Sequence, residues 1–262
     1  MELRWYQNKL LGFDLETTGV DTHNDRVVTS AITELTPPAT PGRWEINNHH
    51  WLVNPGIDIP PGATNVHGIT TEHAREHGTD PALAIAQIIE TLAALTILPE
   101  YLGPTSRVVP IVGMNLTYDF TLLHHEALRH GVTTWEQRQA NAGVRVPIID
   151  VYVLDKHYDP RRKGKRTLTD LCAQYAVPLE DAHTAHGDVL GACRVAHRLG
   201  SLTEAGGIDP NQLHTLQIRW REQQCASLET YFRKIRKPGP DGHPIHIDRC
   251  WPVCTDPNHP HG

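Results

Sequence analysis

The chain has 262 residues, of which 39% are hydrophobic and 21% charged, and its formal net charge is −6. This composition is typical of a globular protein; no apolar run reaches the roughly 20 residues of a membrane span, and the N-terminus lacks an apolar signal core, so we expect a cytoplasmic protein without a membrane partner. The negative charge argues against a protein that coats DNA through many phosphate contacts, but not against an enzyme that handles one strand end.

The first part of the chain predicts three consecutive antiparallel strands. Short apolar runs cover residues 9–13, 26–35 and 44–53, and turn residues such as Pro37, Pro38 and Gly42 separate them. The first run ends at Asp14. A long loop rich in proline and glycine follows and reaches Gly62.

Helices and strands alternate in the next part of the chain. Apolar periodicity predicts helices at 81–95, 118–129, 167–175 and 188–199, and strands at 107–112 and 146–154. Consecutive strands followed by this alternation predict an α/β fold with a mixed sheet flanked by helices. Residues 200–210 are predicted to be a linker, 211–234 a long helix and 238–262 an irregular tail rich in proline and histidine. We therefore divide the chain into a domain at 1–200 and a C-terminal extension at 201–262.

An acidic pair, Asp14 and Glu16, is the strongest local signal for chemistry. It follows the first apolar strand and precedes a Thr-Thr-Gly turn. Residues i and i+2 of a strand point to the same face, so both carboxylates can reach one cation. Without a cation they repel each other, so the pair indicates a metal site rather than two solvated acids.

Two further elements place polar groups at the starts of helices. Asn115 and Asp119 follow the strand at 107–112, and the helix dipole favours the ionised form of an acid in a first turn. His183 and Asp188 lie on either side of the start of the helix predicted at 188–199, so both can face one site.

In this order, the three elements resemble the DEDDh (DnaQ-like) 3'→5' exonucleases, the group that contains the proofreading subunit of bacterial replicative polymerase, ribonuclease T and oligoribonuclease. The matching positions are listed by motif: Asp14 and Glu16 in D-x-E-T-T-G, Asn115, Tyr118 and Asp119 in N-x-x-F/Y-D, and His183, Ala185 and Asp188 in H-x-A-x-x-D. The segment from Val66 to Thr70 also looks like the family's V-H-G-I-T. The resemblance covers about residues 7–200 and implies a ribonuclease H-like fold.

The resemblance implies a two-metal hydrolysis of nucleic acid to nucleoside monophosphates. Two Mg²⁺ or Mn²⁺ ions are implied, with Asp14 bridging them, Glu16 and Asp188 completing the site next to the attacking water, and Asp119 holding the other ion. His183 is the implied general base, although His186 is a nearby rival. The implied contacts to the terminal nucleotide are Thr17, Thr18, His67 and Asn115. The implied partners are single-stranded DNA or RNA 3' ends, with DNA slightly favoured.

Three alternatives stay open at the level of sequence. The basic loop, defined as residues 161–166, either contacts phosphates or is a solvated loop. Cys250 and Cys254 could bind zinc with His259 and His261, or with His243 and His246. The chain could also be a catalytically silent module that binds nucleic acid or protein, although such a module has no need of a repulsive acidic cluster.

Overall fold

A five-stranded mixed sheet forms the centre of the protein. The structure, a computed structural model, describes residues 4–38, 42–97, 108–180, 184–239, 243 and 245–255. The strands lie in the order β3-β2-β1-β4-β5, and their bounds are β1 Leu10–Thr17, β2 Val27–Thr36, β3 Glu45–Leu52, β4 Ile111–Gly113 and β5 Ile148–Asp150. Helices flank this sheet, so the predicted α/β fold is confirmed.

The first three strands pair antiparallel, as predicted. The β1–β2 register runs from Leu10 opposite Leu35 to Thr17 opposite Val27. Because this pairing continues past the apolar run, β1 extends four residues beyond the predicted end and includes both acids of the D-x-E motif. Pairing across a ladder thus overrides the polarity of individual residues.

The last two strands are short and parallel to β1. The strand predicted at 107–112 begins only at Ile111, since Pro110 has no N–H to donate to a ladder; residue 107 lies outside the described part of the chain. The strand predicted at 146–154 is wrong in its second half. Asp150 ends β5 and its carboxylate accepts a hydrogen bond from the Tyr152 N–H (3.0 Å), which caps a helix there instead.

Nine α-helices occur in the described residues. Their bounds are α1 Pro61–His67, α2 Thr71–His77, α3 Pro81–Thr96, α4 Leu116–Arg129, α5 Trp135–Ala142, α6 Val151–Tyr158, α7 Leu168–Gln174, α8 Ala185–Leu202 and α9 Pro210–Lys234. Four of the predicted helices and the long C-terminal helix are present, whereas α1, α2, α5 and α6 were not predicted. None of these helices is long and apolar enough to cross a membrane.

The C-terminal helix α9 covers the outer edge of β5. The Ile148 N–H donates to His214 Nδ1 (3.1 Å), and the Asp150 N–H donates to Gln217 Oε1 (2.8 Å). The Gln217 amide in turn donates to the Ile148 carbonyl at 2.8 Å. Side chains of α9 therefore satisfy backbone groups that an edge strand would otherwise leave exposed.

The segment predicted as a linker at 200–210 is packed rather than extended. Helix α8 runs on to Leu202, and a 3₁₀ turn follows at Glu204–Gly207. Gly200 and Gly206 lie so close to the ring of Tyr6 that neither position has room for a side chain. Close packing at small residues therefore joins the end of α8 to the N-terminal segment.

Candidate active site

Helix α8 packs closely on the face of β1 that carries the acidic pair. Gly12, Asp14 and Glu16 alternate onto this face. A Cβ at Gly12 would lie 2.3 Å from Val189 Cγ1 and 2.8 Å from Cys193 Sγ, which is closer than side chains can approach. The absence of a side chain at Gly12 is therefore what lets α8 approach β1.

This approach brings Asp188 to the acidic pair. The Thr184 hydroxyl caps α8 by accepting from the Gly187 N–H (3.1 Å), and Asp188 lies in the first turn of the helix. One carboxylate oxygen from each of Asp14, Glu16 and Asp188 lies within 4.8 Å of the other two. The third motif thus meets the first although Glu16 and Asp188 are 172 positions apart in the sequence.

Asp119 reaches the same strand from α4. Beyond Gly12, β1 has no pairing with β4, which leaves the Leu15 N–H open on that edge. The Asp119 carboxylate accepts a hydrogen bond from this N–H at 3.0 Å, and the residue is only 3% exposed. The buried carboxylate therefore continues the edge of the sheet and lies beside the acidic pair.

The site is electrostatically unfavourable without a cation. Burial raises the pKa of Asp14 well above its usual value, and the charges of Asp119, Glu16 and Asp188 raise it further. Burial and Asp188 raise the pKa of Glu16 to about 7. Burial raises the pKa of Asp119 to about 8, although the hydrogen bond from Leu15 acts in the opposite direction.

Carboxylates in this arrangement fit a divalent cation. The three converging groups offer only oxygen donors, which suit Mg²⁺ or Mn²⁺ better than zinc. A bound cation would offset the burial and the mutual repulsion that raise these pKa values. Asp14, Glu16 and Asp188 are therefore a candidate metal site, and Asp119 lies next to it.

A buried acid that the sequence did not single out supports the second motif. Asp150 accepts from the N–H groups of Asn115 (2.9 Å) and Leu116 (3.1 Å) and is 1% exposed. These bonds hold Asn115 in a left-handed conformation, with φ 58°, at the start of α4. Asp150 lies at the carboxyl end of β5, and ligands of α/β sheets commonly bind at the carboxyl ends of the strands. This position was the only feature of the sequence that could have pointed to Asp150.

The turn after β1 is tied to α4 by hydroxyl groups. Thr17 Oγ1 lies 2.5 Å from the Tyr118 hydroxyl, and both hydroxyls donate to the Gly19 carbonyl. Thr18 is 2% exposed; its hydroxyl donates to Asp25 (2.7 Å) and accepts from the Arg26 N–H (3.0 Å). The side chain of Thr18 therefore holds this turn in place.

The remaining predicted contacts to the terminal nucleotide are His67 and Asn115. His67 ends α1, its Nδ1 accepts from the Ile69 N–H (3.1 Å), and burial lowers its pKa while the Thr17 backbone acts in the opposite direction. Asn115 is exposed and borders a cavity of about 320 Å³. This cavity, which we call the basic cavity, also has Lys156, Arg166 and Arg221 in its wall.

Of the two candidate histidines, only His186 lies within the described residues. His183 lies outside the described residues and directly precedes the capping residue Thr184. His186 is in the first turn of α8, near His50 of β3, whose pKa it helps to lower. His186 therefore lies towards the β3 side of the sheet.

The basic loop divides into two groups of side chains. Arg162 and Arg166 both contact the fully buried carboxylate of Asp155, and the Tyr175 hydroxyl donates to it at 2.8 Å. Arg161, Lys163 and Lys165 are exposed. Two of the cations therefore neutralise a buried acid, and three face solvent.

A cluster of acids on a ribonuclease H-like sheet is the arrangement expected of a nuclease, and comparisons with known proteins identify the family. A family model described as Exonuclease matches residues 11–196, so the chain belongs to this exonuclease family, the DEDDh group that its motifs resemble. DNA polymerase III PolC-type from Pediococcus pentosaceus is 27% identical over 177 residues, which is 68% of this chain and 10% of that protein. The chain thus contains an exonuclease domain of this family, as predicted.

Solved structures of exonuclease I share the fold. The E. coli enzyme in complex with a dT13 oligonucleotide superposes with a TM-score of 0.57 at 20% identity, covering 76% of this chain and 42% of that one. The enzyme from Methylocaldum szegediense gives a TM-score of 0.57 at 18% identity, covering 86% and 46%. This chain therefore spans less than half the length of these relatives.

Proposed function

We propose that the protein is a 3'→5' exonuclease that hydrolyses single-stranded nucleic acid ends to nucleoside monophosphates, with DNA slightly favoured over RNA. One observation carries the proposal: Asp14, Glu16 and Asp188 converge within 4.8 Å, with the buried Asp119 beside them. Four acids brought together at such electrostatic cost are expected where cations must be held.

Two divalent ions, Mg²⁺ or Mn²⁺, fit this set of acids. Asp14, which is influenced electrostatically by all three other acids, is the proposed bridging ligand, with Glu16 and Asp188 on one side and Asp119 on the other. When bound, two such ions would stabilise the charge on the scissile phosphate and the leaving oxygen. The acids' part is to hold these ions at the end of β1.

His183 is the proposed general base. In the sequence it lies five residues before Asp188 and directly before Thr184, which caps α8. An imidazole suits the removal of a proton from the attacking water because its unperturbed pKa is near neutral. His186, on the β3 side, is proposed to have no such role.

The terminal nucleotide is proposed to lie against Thr17, Thr18, His67 and Asn115. Thr17 ends β1, Asn115 follows the neighbouring parallel strand β4, and Thr18 contributes by fixing the turn after β1. The basic cavity next to Asn115 offers Lys156 and Arg221 to the phosphates that follow. The oligonucleotide in the E. coli exonuclease I structure supports a single-stranded DNA substrate.

Digestion of single-stranded oligonucleotides tests the proposal. A 5'-labelled DNA or RNA strand should give a ladder that shortens from the 3' end with Mg²⁺ or Mn²⁺, and no products in excess chelator. A slightly higher kcat/KM is expected for DNA. Asp14→Ala should lose several orders of magnitude in rate, since it removes the proposed bridging ligand. Early release of the label as a mononucleotide would contradict the polarity, and full activity in chelator would contradict the metal requirement.

A matched pair of histidine variants tests the base. His183→Ala should lower kcat by roughly 10²–10⁴, the range for loss of a general base, and should remove the acidic limb of the pH–rate profile. His186→Ala, three positions away in the same segment, should keep most of the rate and the limb. The opposite result would assign the base to His186.

A further inference from the structure

The C-terminal tail contains a second cluster of metal-ligand side chains. Asp248, Cys250 and Cys254 each offer one ligand atom, and these three atoms lie within 4.8 Å of one another. Cys254 is fully buried, whereas Asp248 and Cys250 are half-buried. None of these residues falls within the stretch that the exonuclease family model matches.

The donor set is that of a zinc site rather than of a magnesium site. The two thiolates are soft donors, which favour zinc over Mg²⁺, and zinc also accepts a carboxylate oxygen as a ligand. The two Sγ atoms are 3.1 Å apart. Thiolates bound to one tetrahedral zinc at ~2.3 Å lie about 3.8 Å apart, so a shift of roughly 0.7 Å, within reach of small side-chain rotations, creates the site.

Contacts with the folded domain hold the cluster in place. The Cys254 N–H donates to Thr121 Oγ1 of α4 (3.0 Å), and Cys225 Sγ of α9 donates to the Asp248 carbonyl (3.3 Å). The Cys250 N–H donates to Asp248 Oδ1 at 2.7 Å, which forms a local turn. The three ligand residues therefore lie in an ordered turn that packs against α4 and α9.

The same segment reaches the support of the active site. The Trp251 indole N–H points to Asp150 Oδ2 at 3.4 Å, and Asp150 is the acid that holds Asn115. Thr121 lies two residues after Asp119 on α4. A cation that holds the tail in place would thus also hold Trp251 against Asp150 at the start of α4.

We propose that Asp248, Cys250 and Cys254 bind a structural zinc ion, which clamps the tail onto α4 and α9. Water takes the fourth position of the tetrahedron. The zinc does not take part in hydrolysis. This site is separate from the acidic cluster in both position and donor type, so it stands whether or not the proposed nuclease mechanism is correct.

Metal analysis of the full-length protein tests the proposal. Protein produced in zinc-supplemented medium and purified under reducing conditions should retain about one zinc per chain, as expected of a structural site. Cys250→Ser, at a half-buried position, should lose it. Two controls should retain it: Cys172→Ser, the same change at a buried thiol of α7, and Asp14→Ala, which disrupts the acidic cluster.

Two further measurements do not depend on the folding of a ligand variant or on nuclease activity. Cobalt-substituted wild-type protein should show thiolate-to-cobalt charge transfer and the visible bands of tetrahedral cobalt. Removal of zinc by a mild chelator should speed trypsin cleavage after Arg249 on the order of tenfold, because local stability of the tail falls. Wild-type protein without zinc or cobalt bands, or zinc that leaves with Asp14→Ala but not with Cys250→Ser, would overturn the proposal.

Discussion

The close contact between β1 and α8 gives a prediction about a residue that carries no functional group. Replacing Gly12 with alanine would place a methyl group 2.3 Å from Val189 Cγ1 and 2.8 Å from Cys193 Sγ. Ordinary contacts begin near 3.4 Å. Helix α8 must therefore move away from β1 by roughly 1 Å, since overpacked cores respond by shifts of backbone and side chains.

The expected loss of rate arises because α8 carries Asp188. Asp188 precedes Val189, so the shift moves one carboxylate away from Asp14 and Glu16. A displacement of about 1 Å at a catalytic group can cost on the order of 10²-fold in rate. Overpacking costs about 1–3 kcal/mol, which lowers the Tm by about 2–12 °C in a domain of this size. We expect Gly12→Ala to remain folded with a large loss of kcat.

The assay is hydrolysis of a labelled oligonucleotide at saturating Mg²⁺, together with thermal unfolding. The matched control is the Gly12→Ala/Val189→Ala double variant, in which the colliding Cγ1 atom is absent. It should recover at least roughly tenfold of the lost rate, because contacting residues couple energetically. Wild-type activity in Gly12→Ala, or an equal loss in the double variant, would refute the argument that this contact sets the position of Asp188.

Three other predictions concern groups around the site. In chelator, the free energy of unfolding should fall as pH rises from about 4 to 8, because folded Asp119, with its pKa of about 8, keeps a proton that the unfolded chain releases. Measured against pH, the Tm should change less for Asp119→Asn, and less for the wild type with Mg²⁺. Parallel Tm profiles would contradict the assignment. Tyr118→Phe should lower the free energy of unfolding by about 1 kcal/mol and raise KM, because the turn at Thr17 loses its hydroxyl contact with α4. An unchanged denaturant midpoint and an unchanged KM would show that Tyr118 does not hold this turn. Arg221→Ala should weaken the binding of long substrates and reduce the salt dependence of that binding, whereas Lys163→Ala, at an exposed position, should change neither. Equal effects of the two substitutions would show that the basic cavity does not bind the phosphates of the substrate.

Much of the site was determined by the sequence alone because its signals are local. The two-residue period puts Asp14 and Glu16 on one face wherever a strand continues through both residues. The order of the three motifs then identified the family, and the family implied which acids meet.

Other features were decided only by tertiary structure, because they depend on residues far apart in the chain. The sequence could not show that β1 continues through Glu16, since pairing with β2 extends it. Nor could it show that α9 closes the edge of β5 through Gln217, or that Asp150 holds the start of α4. The raised pKa of Asp119 likewise arises from burial and from charges on other elements. Burial, charge coupling and close approach are properties of the packed chain, and packing brings together what local sequence leaves separate.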